Sequence, residues 1–540
     1  MAADWKLRTV DPELIRRYID EGWWNDESLG QLLVGGLRRY PELAFTFRSD
    51  VHPWSGTFAD VDLMARRIAG ELQAQGVGPG SVVSFQLPNW MEAAATFYAV
   101  CYLGAVIVPI VHFYGAKELA YILRRTGVEV FVTTRGFGHQ DFLANLASVA
   151  GDLPDLRLVY VVGDDIEGHR PFAELLAGEP IDDPIVVDPD SPALVAYTSG
   201  TTSDPKGVIH THRTIGYEIR QLSDMQSDRP LPTLVGAPVG HGIGLLSSLL
   251  LPPYRGQPIH MIDVWDPKKI LQAMLDDGLT AGSGATFFLT SLLDHPDFSP
   301  AHLELMEFMG LGGSAVPAAV TERARDLGIS IVRSFGSTEH PSITGNTHDK
   351  PEAKKLYTDG APLEGVEIRL VDEDGHDVPQ GDAGEIMSRG PDCFAGYTVP
   401  ELTEEAFTDG WFHTGDIGVL DEEGYLAITD RKKDIIIRGG ENISAQEVEE
   451  ILLHLPGVAE CAVVAAPDAR LGEHACAFLR MQDGAPEPDL DGLKSSLEAA
   501  GLARQKWPEE LHVVTEFPRT PSGKIQKFVL RKDLRTAFDG

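Results

Sequence analysis

Cysteine is scarce in this sequence: four residues in 540, at positions 101, 393, 461 and 476, none in a CxxC pair. That spacing offers neither a structural zinc site nor a disulfide framework, and it suits a reducing compartment. Basic residues are also in short supply. Forty-five Lys and Arg face 81 Asp and Glu, a formal net charge of −36, which argues against life on nucleic acid or on an anionic membrane. The first two dozen residues mix both charge signs and hold no apolar core, so a secretory signal is missing. No short-period repeat and no low-complexity tract is present.

One run comes near the length of a membrane span. Residues 93–116 contain no Asp, Glu, Lys or Arg. Gly104 separates a helix-like stretch, Met91 to Leu103, from a β-branched run, AVIVPIV, that Pro109 interrupts. A buried helix followed by a buried parallel strand gives the same hydropathy, and the run is read as core.

What remains is a globular composition, 43% hydrophobic and 23% charged, in a chain long enough for more than one domain. Between residues 30 and 200 the strand candidates SVVSFQLP, AVIVPIV, VEVFVTT and LRLVYVVG alternate with helix candidates, which predicts α/β layers around a parallel sheet. The alternation resumes after residue 200, with DPKKILQAMLDDG as helix and ISIVRSFG as strand. Near residue 365 the texture turns to β: VEIRLVDEDGHDVPQGDAGEIMSRG reads as two strands about a turn, and YLAITDRKKDIIIRGG adds more. Ser444 and Glu447 then predict a capping box for a helix with Val448, Ile451, Leu452 and Leu455 on one face, stopped by Pro456-Gly457. Strands AECAVVAAP, HACAFLRM and LHVVTEFP and a helix near 489–500 complete a βαββαβ-like tail. The expected fold class is α/β: a large N-terminal domain of layered α/β subdomains plus a β-rich part (1–430), a hinge (431–433) and a small α+β C-terminal domain (434–540).

The most informative segment is YTSGTTSDPKG, Tyr197 to Gly207. Small residues let backbone N–H groups approach phosphate oxygens, hydroxyls donate further bonds, and Lys206 supplies charge. A Walker A loop needs Gly-Lys-Ser/Thr opening a helix, whereas the order here is Lys206-Gly207. By composition alone, a Ser/Thr-rich surface turn is an equal reading.

The segment resembles the signature loop of the adenylate-forming superfamily, which includes acyl-CoA synthetases, luciferases and peptide-synthetase adenylation domains. Further motifs carry the same resemblance in family order: Gly310 to Ala315, Ser334 to Glu339, Thr414-Gly415-Asp416, Asp430 to Asp434 continuing through Gly439 to Asn442, and Pro521 to Ile525. The likeness runs from about residue 30 to 530 and implies a set of site residues. Thr198, Ser199, Gly200, Thr201, Thr202 and Lys206 would hold the phosphates of ATP. Gly313, Ser314 and Ala315 would lie against adenine, with Ser334, Phe335, Gly336 and Ser337 beside them and Phe335 stacked on the base. Thr338 would contact the α-phosphate or acyl oxygen, and Glu339 with Thr202 would bind Mg²⁺. Asp416 and Arg431 would hold the ribose, Lys433 would be the hinge, and Lys524 the catalytic lysine. Arg438, Gly439 and Gly440 would form the face turned to CoA in the second step. The family's loop usually carries glycine where this chain has Ser203.

The activity so implied is formation of an acyl-adenylate and pyrophosphate from ATP and a carboxylic acid, then transfer of the acyl group to a thiol with release of AMP. His241 and Gly242 fall in the acyl-pocket segment with Gly312 nearby. Aryl-acid ligases of the siderophore type carry asparagine where Gly242 stands, which argues against salicylate and dihydroxybenzoate. Gly242, Gly244, Gly312, Gly313 and Ser314 are small, so a wide pocket is expected, and the placement of Asp263 is left open. The stretches YIDEGWWNDESLGQLL and VSFQLPNW look most like cyclohexanecarboxylate-type and fatty-acid CoA ligases, which favours a medium-length or cyclic aliphatic acid. The sequence ends sixteen residues after Lys524, which favours CoA over a carrier domain in cis. A carrier protein in trans, a luciferase-like oxygenation and a catalytically idle nucleotide-binding relative are the alternatives. A cytoplasmic enzyme without nucleic-acid partners or a transmembrane segment is expected, with homodimerisation left open. Local positive charge should meet the anionic ligands: residues 519–535 carry a net +5 and residues 431–440 a net +3.

Overall fold

The uncharged run at 93–116 lies within the largest core. Every residue of helix Met91–Leu103 is buried; Gly104 ends it in the left-handed region at φ 58°, and the buried strand Val106–Ile110 follows. The computed structural model describes residues 5–163, 168–198, 205–226, 231–313, 316–438, 441–468, 470–500, 502–520 and 523–539. No helix among them is long and apolar enough to cross a membrane.

Val82–Gln86, Val106–Ile110, Val130–Thr134 and Leu158–Val162 pair in parallel and form the middle of an eight-stranded sheet. Pro192–Thr198 adds in parallel beside Val106–Ile110, and Lys206–Thr211 turns back antiparallel to it. A second α/β layer sets Ala44–Arg48 parallel to Ile259–Ile262, and a third sets Phe308–Leu311 parallel to Ser330–Phe335. The β-rich part is a five-stranded sheet containing Glu367–Val371, Gly384–Arg389, Trp411–Leu420 and Leu426–Arg431. Together these form a large N-terminal domain. The small C-terminal domain has its own sheet, with Val458–Asp468, Gly472–Met481 and Glu510–Val513 at its centre, and its own apolar clusters.

One local expectation needs correction. Ser444 Oγ accepts the Glu447 N–H at 3.0 Å, but the Glu447 carboxylate binds the Lys506 amine at 2.9 and 2.6 Å instead of returning to residue 444. The capping box is therefore half made, because an ion pair offers that carboxylate more than an N–H does. The basic C-terminal segment ends in the helix Lys527–Asp539, which lays Leu530 and Leu534 on the strand Val458–Asp468.

The two domains meet at one edge of the cleft described next. A Cβ on Gly523 (φ 84°) would lie 2.8 Å from Phe287 Cβ, and the Arg519 guanidinium sits 5.2 Å from the Phe287 ring centre. Glu450 accepts the Ala318 N–H at 3.2 Å at the start of helix Ala318–Asp326.

Candidate active site

Parallel strands deliver side chains at their C-terminal ends, where α/β folds place ligands. Thr198 ends one central strand and faces Lys206, the first residue of its antiparallel neighbour. Phe308–Leu311 ends into Gly312-Gly313, and Ser330–Phe335 ends into a strap, Gly336 to Ser342. These ends line a cleft of about 2050 Å³ whose wall also includes His241, Gly242, Asp416, Arg431, Lys433 and Lys524. Pockets for one small ligand run to roughly 1,000 Å³, so this space suits two substrates together.

The strap is pinned at both carbonyls. His210 Nε2 donates to the Thr338 carbonyl at 2.8 Å, and the Phe394 N–H donates to the Glu339 carbonyl at 2.8 Å. Gly336 is required here, since a Cβ would lie 1.9 Å from the Pro341 oxygen. Tyr397 donates its hydroxyl to Glu339 Oε1 at 2.8 Å, and the Lys206 amine lies 5.1 Å from the centre of the same ring. Burial and Glu339 push the Tyr397 phenol up, which keeps it a donor.

Asp416 and Arg431 are partners across two antiparallel strands, and their side chains pair at 3.0 Å. Burial pushes the Asp416 carboxyl up, with Arg431 opposing. Lys524 is pushed down to about 8 by burial and then by Arg431, with Asp416 opposing. Its loop is held by the Lys524 N–H donating to Thr520 Oγ1 at 3.1 Å and the Thr520 N–H donating to the Lys524 carbonyl at 2.7 Å. His241 precedes the short helix Gly242–Leu245; burial, with the charge of Lys524, pushes its imidazole down to about 4, so it is neutral at pH 7. Its buried Nδ1 has no hydrogen-bond partner among the described residues.

The structure thus brings together Thr198, Lys206, Gly312, Gly313, Ser334 to Glu339, His241, Gly242, Asp416, Arg431, Lys433 and Lys524 around one cleft. Ser199, Gly200, Thr201, Thr202, Ser203, Ser314, Ala315, Gly439 and Gly440 lie outside the described residues. Arg438 stands apart: it pairs with Glu509 at 2.7 Å within the C-terminal domain and does not line the cleft. Phe335 is largely built into the β-rich core with Ile343 and Ile386, leaving one edge on the cleft.

The small residues divide into two kinds. A Cβ on Gly242 would meet nothing within 4 Å, whereas on Gly244 it would lie 2.1 Å from the Pro238 oxygen, on Gly312 2.8 Å from Ser334 Oγ and on Gly313 2.4 Å from Ile243 Cδ1. Among these described glycines only Gly242 leaves open room, and the others serve close packing. Asp263 accepts the Trp90 indole N–H at 3.0 Å and does not line the cleft. The expected positive face is mostly neutralised: Arg519 pairs with Glu460, Lys527 with Glu449 and Arg531 with Asp434. Among the described residues no carboxylate lies within ion-pairing distance of Lys524.

His210 and Tyr397 were not singled out in the sequence. Their partners lie 128 and 58 residues away, and no local spacing announces them.

The description "AMP-binding enzyme" matches residues 38–398, and "AMP-binding enzyme C-terminal domain" matches residues 447–524. The chain is 34% identical over 529 residues to a medium-chain fatty-acid–CoA ligase of Escherichia coli (strain K12), covering 96% of this chain and 92% of that protein. It is 34% identical over 480 residues to a feruloyl-CoA synthase of Amycolatopsis sp, covering 88% and 93%. Among solved structures, the anthranilate CoA ligase AuaEII in complex with anthranoyl-AMP superimposes with a TM-score of 0.86 at 26% identity, covering 95% of this chain and 98% of that one.

Proposed function

The chain belongs to the AMP-binding enzyme family; it is an AMP-forming acid–thiol ligase working through an acyl-adenylate, and we propose that it joins a medium-chain or cyclic aliphatic acid to CoA. The observation that carries the assignment of residues is the convergence of Lys524, Asp416, Arg431, Glu339 and His241 on one cleft. In the first step a carboxylate oxygen bonds to the α-phosphorus of ATP and pyrophosphate leaves. Two anions meet, so the step depends on fixed positive charge and oriented donors.

Lys524 supplies that charge from the C-terminal domain, and Lys206 supplies it from the phosphate loop. Asp416 accepts from the ribose hydroxyls, and Arg431 holds the Asp416 carboxylate in place at 3.0 Å. Thr338 faces the acyl oxygen and α-phosphate, and neutral His241 offers a ring nitrogen beside them. Glu339 presents hard oxygen donors with Oε1 fixed by Tyr397, a set that suits Mg²⁺. Glu339 and Thr202 would hold the ion, which when bound offsets phosphate charge.

In the second step the CoA thiolate attacks the acyl carbonyl and AMP leaves. Lys524 lines the cleft, whereas Arg438 pairs with Glu509 and does not, which supports reading this arrangement as the adenylate-forming one. Rotation about Lys433 brings the Arg438 face to the cleft. For the acid, Gly242 opens onto a wall that includes Val235, Ile243, Leu246, Phe287 and Leu311, an apolar surface suited to an aliphatic chain.

Release of AMP measured over linear C4–C12 acids, cyclohexanecarboxylate, benzoate and salicylate, with and without CoA, tests this. Strongest CoA-dependent turnover with C6–C10 or cyclic aliphatic acids is expected. Preference for aryl acids, or dependence on a phosphopantetheinyl carrier instead of CoA, would overturn the specific assignment, and no turnover with any acid would favour an idle relative.

A further inference from the structure

We propose that Glu218 is a positioning residue for adenylation: its buried carboxylic acid holds Ser342, which also binds Asp392, and so fixes the Thr338–Glu339 strap against the phosphate site. Glu218 lies on helix His212–Met225, which directly follows the strand that carries Lys206 and His210. Its side chain is fully buried. Ser342 Oγ donates to Glu218 Oε1 at 2.7 Å, and the Ser342 N–H donates to Asp392 Oδ2 at 3.4 Å. His340 Nε2 meets Asp392 Oδ1 at 3.1 Å, while His340 Nδ1 meets Ser388 Oγ at 2.8 Å. Both His340 and Asp392 are inaccessible to solvent.

One oxygen in this network is left over. Glu218 Oε2 is buried and has no hydrogen-bond partner among the described residues, while Ser342 joins the two acids, its hydroxyl on Glu218 and its N–H on Asp392. Two carboxylates without a proton between them would repel in a site that water does not reach. A proton on Glu218 removes that repulsion and leaves a neutral acid that accepts from Ser342. Burial and the charge of Asp392 push the Glu218 acid well up, in the same direction. The ring of His340 is also closely confined, since a Cβ on Gly390 would lie 2.9 Å from its Nε2.

The consequence is mechanical. The residues flanking Thr338 and Glu339 are tied through Ser342 and His340 to Asp392 and Glu218, and through the Thr338 carbonyl to His210. Helix His212–Met225 therefore couples the Lys206 strand to the strap that faces the same phosphates. The inference rests on placing Thr338 and Glu339 at the ATP end of the cleft.

The test compares Glu218→Gln, Glu218→Ala and the milder Ser342→Ala, with Glu339→Gln alongside. The readouts are Mg·ATP affinity by calorimetry without any acid, thermal midpoint, and ATP–pyrophosphate exchange with octanoate. Glutamine keeps an uncharged side chain of the same size and an acceptor for Ser342, so E218Q should hold ATP affinity and exchange within about threefold of wild type. E218A should weaken ATP affinity by about 5–20-fold, and S342A by about 3–5-fold, beyond what any fall in folded fraction explains. Equal defects in E218Q and E218A, or lowered thermal midpoints with unchanged ATP affinity while E339Q weakens it, would overturn the positioning role. Unchanged affinity in E339Q as well would overturn the strap assignment and this inference with it.

Discussion

In the proposed mechanism Lys524 must carry its proton to stabilise the charge that gathers at the α-phosphorus, and its surroundings set the pH at which it fails. Burial and Arg431 push its amine from the ordinary 10.5 down to about 8. The protonated form is the active one, so activity is present below that value and is lost as pH rises through it. With a value near 8, roughly nine-tenths of free enzyme is charged at pH 7 and one-tenth at pH 9, so kcat/KM for ATP in pyrophosphate exchange should fall about tenfold across that interval. Bound ATP returns negative charge to the cleft, so the corresponding fall in kcat should come at higher pH. Lys524→Arg gives the decisive comparison: a guanidinium stays charged throughout, so the alkaline fall should vanish, at a lower absolute rate. A profile flat to pH 10 in wild type, or an identical fall in the arginine variant, would refute the reasoning.

Substituting Gly242 with Leu should leave stability within about 0.5 kcal/mol, since its Cβ meets nothing within 4 Å. It should shift acid preference to shorter chains, with kcat/KM for decanoate falling about 10–100-fold, read from the acid panel. Arg333 and Asp359 form a buried pair at 2.8 and 3.0 Å, and Asp359 also accepts the Ile428 N–H at 2.9 Å. Asp359→Ala should therefore cost about 3–5 kcal/mol in urea unfolding. Gly523→Ala places a methyl 2.8 Å from Phe287 Cβ at φ 84°, a backbone cost of about 1–2 kcal/mol before the clash. Exchange should drop about tenfold or more while thioester formation from supplied acyl-adenylate changes little.

Much of this site was legible because its residues cluster in short motifs: Asp416 and Arg431 were readable separately, and their pairing followed from one strand register. The helix–glycine–strand reading of 91–110 was likewise legible, since the left-handed cap at Gly104 and the β-branched run beyond it are local properties. What escaped was tertiary. His210 reaches Thr338, Tyr397 reaches Glu339 and Glu218 reaches Ser342 across long stretches of chain, and a lone buried polar residue has no period to betray it. The reading of local charge is incomplete for the same reason. Arg519, Lys524, Lys527 and Arg531 do line the cleft, but Glu460 and Glu449 arrive from a neighbouring strand and helix to pair with Arg519 and Lys527. Smallness alone does not say which glycines open the pocket, because small residues serve two ends: Gly312 and Gly313 admit neighbours, and Gly242 admits space.

The most direct test of the account separates the two half-reactions in Lys524→Ala. Acid-dependent ATP–pyrophosphate exchange without CoA should be lost, because the proposed role of Lys524 is confined to adenylation. Thioester formation from supplied acyl-adenylate and CoA should persist near the wild-type rate, because the proposal assigns that step to another face of the C-terminal domain. Equal loss of both half-reactions, or exchange that survives the substitution, would contradict the assignment of Lys524 and the two-step use of one cleft.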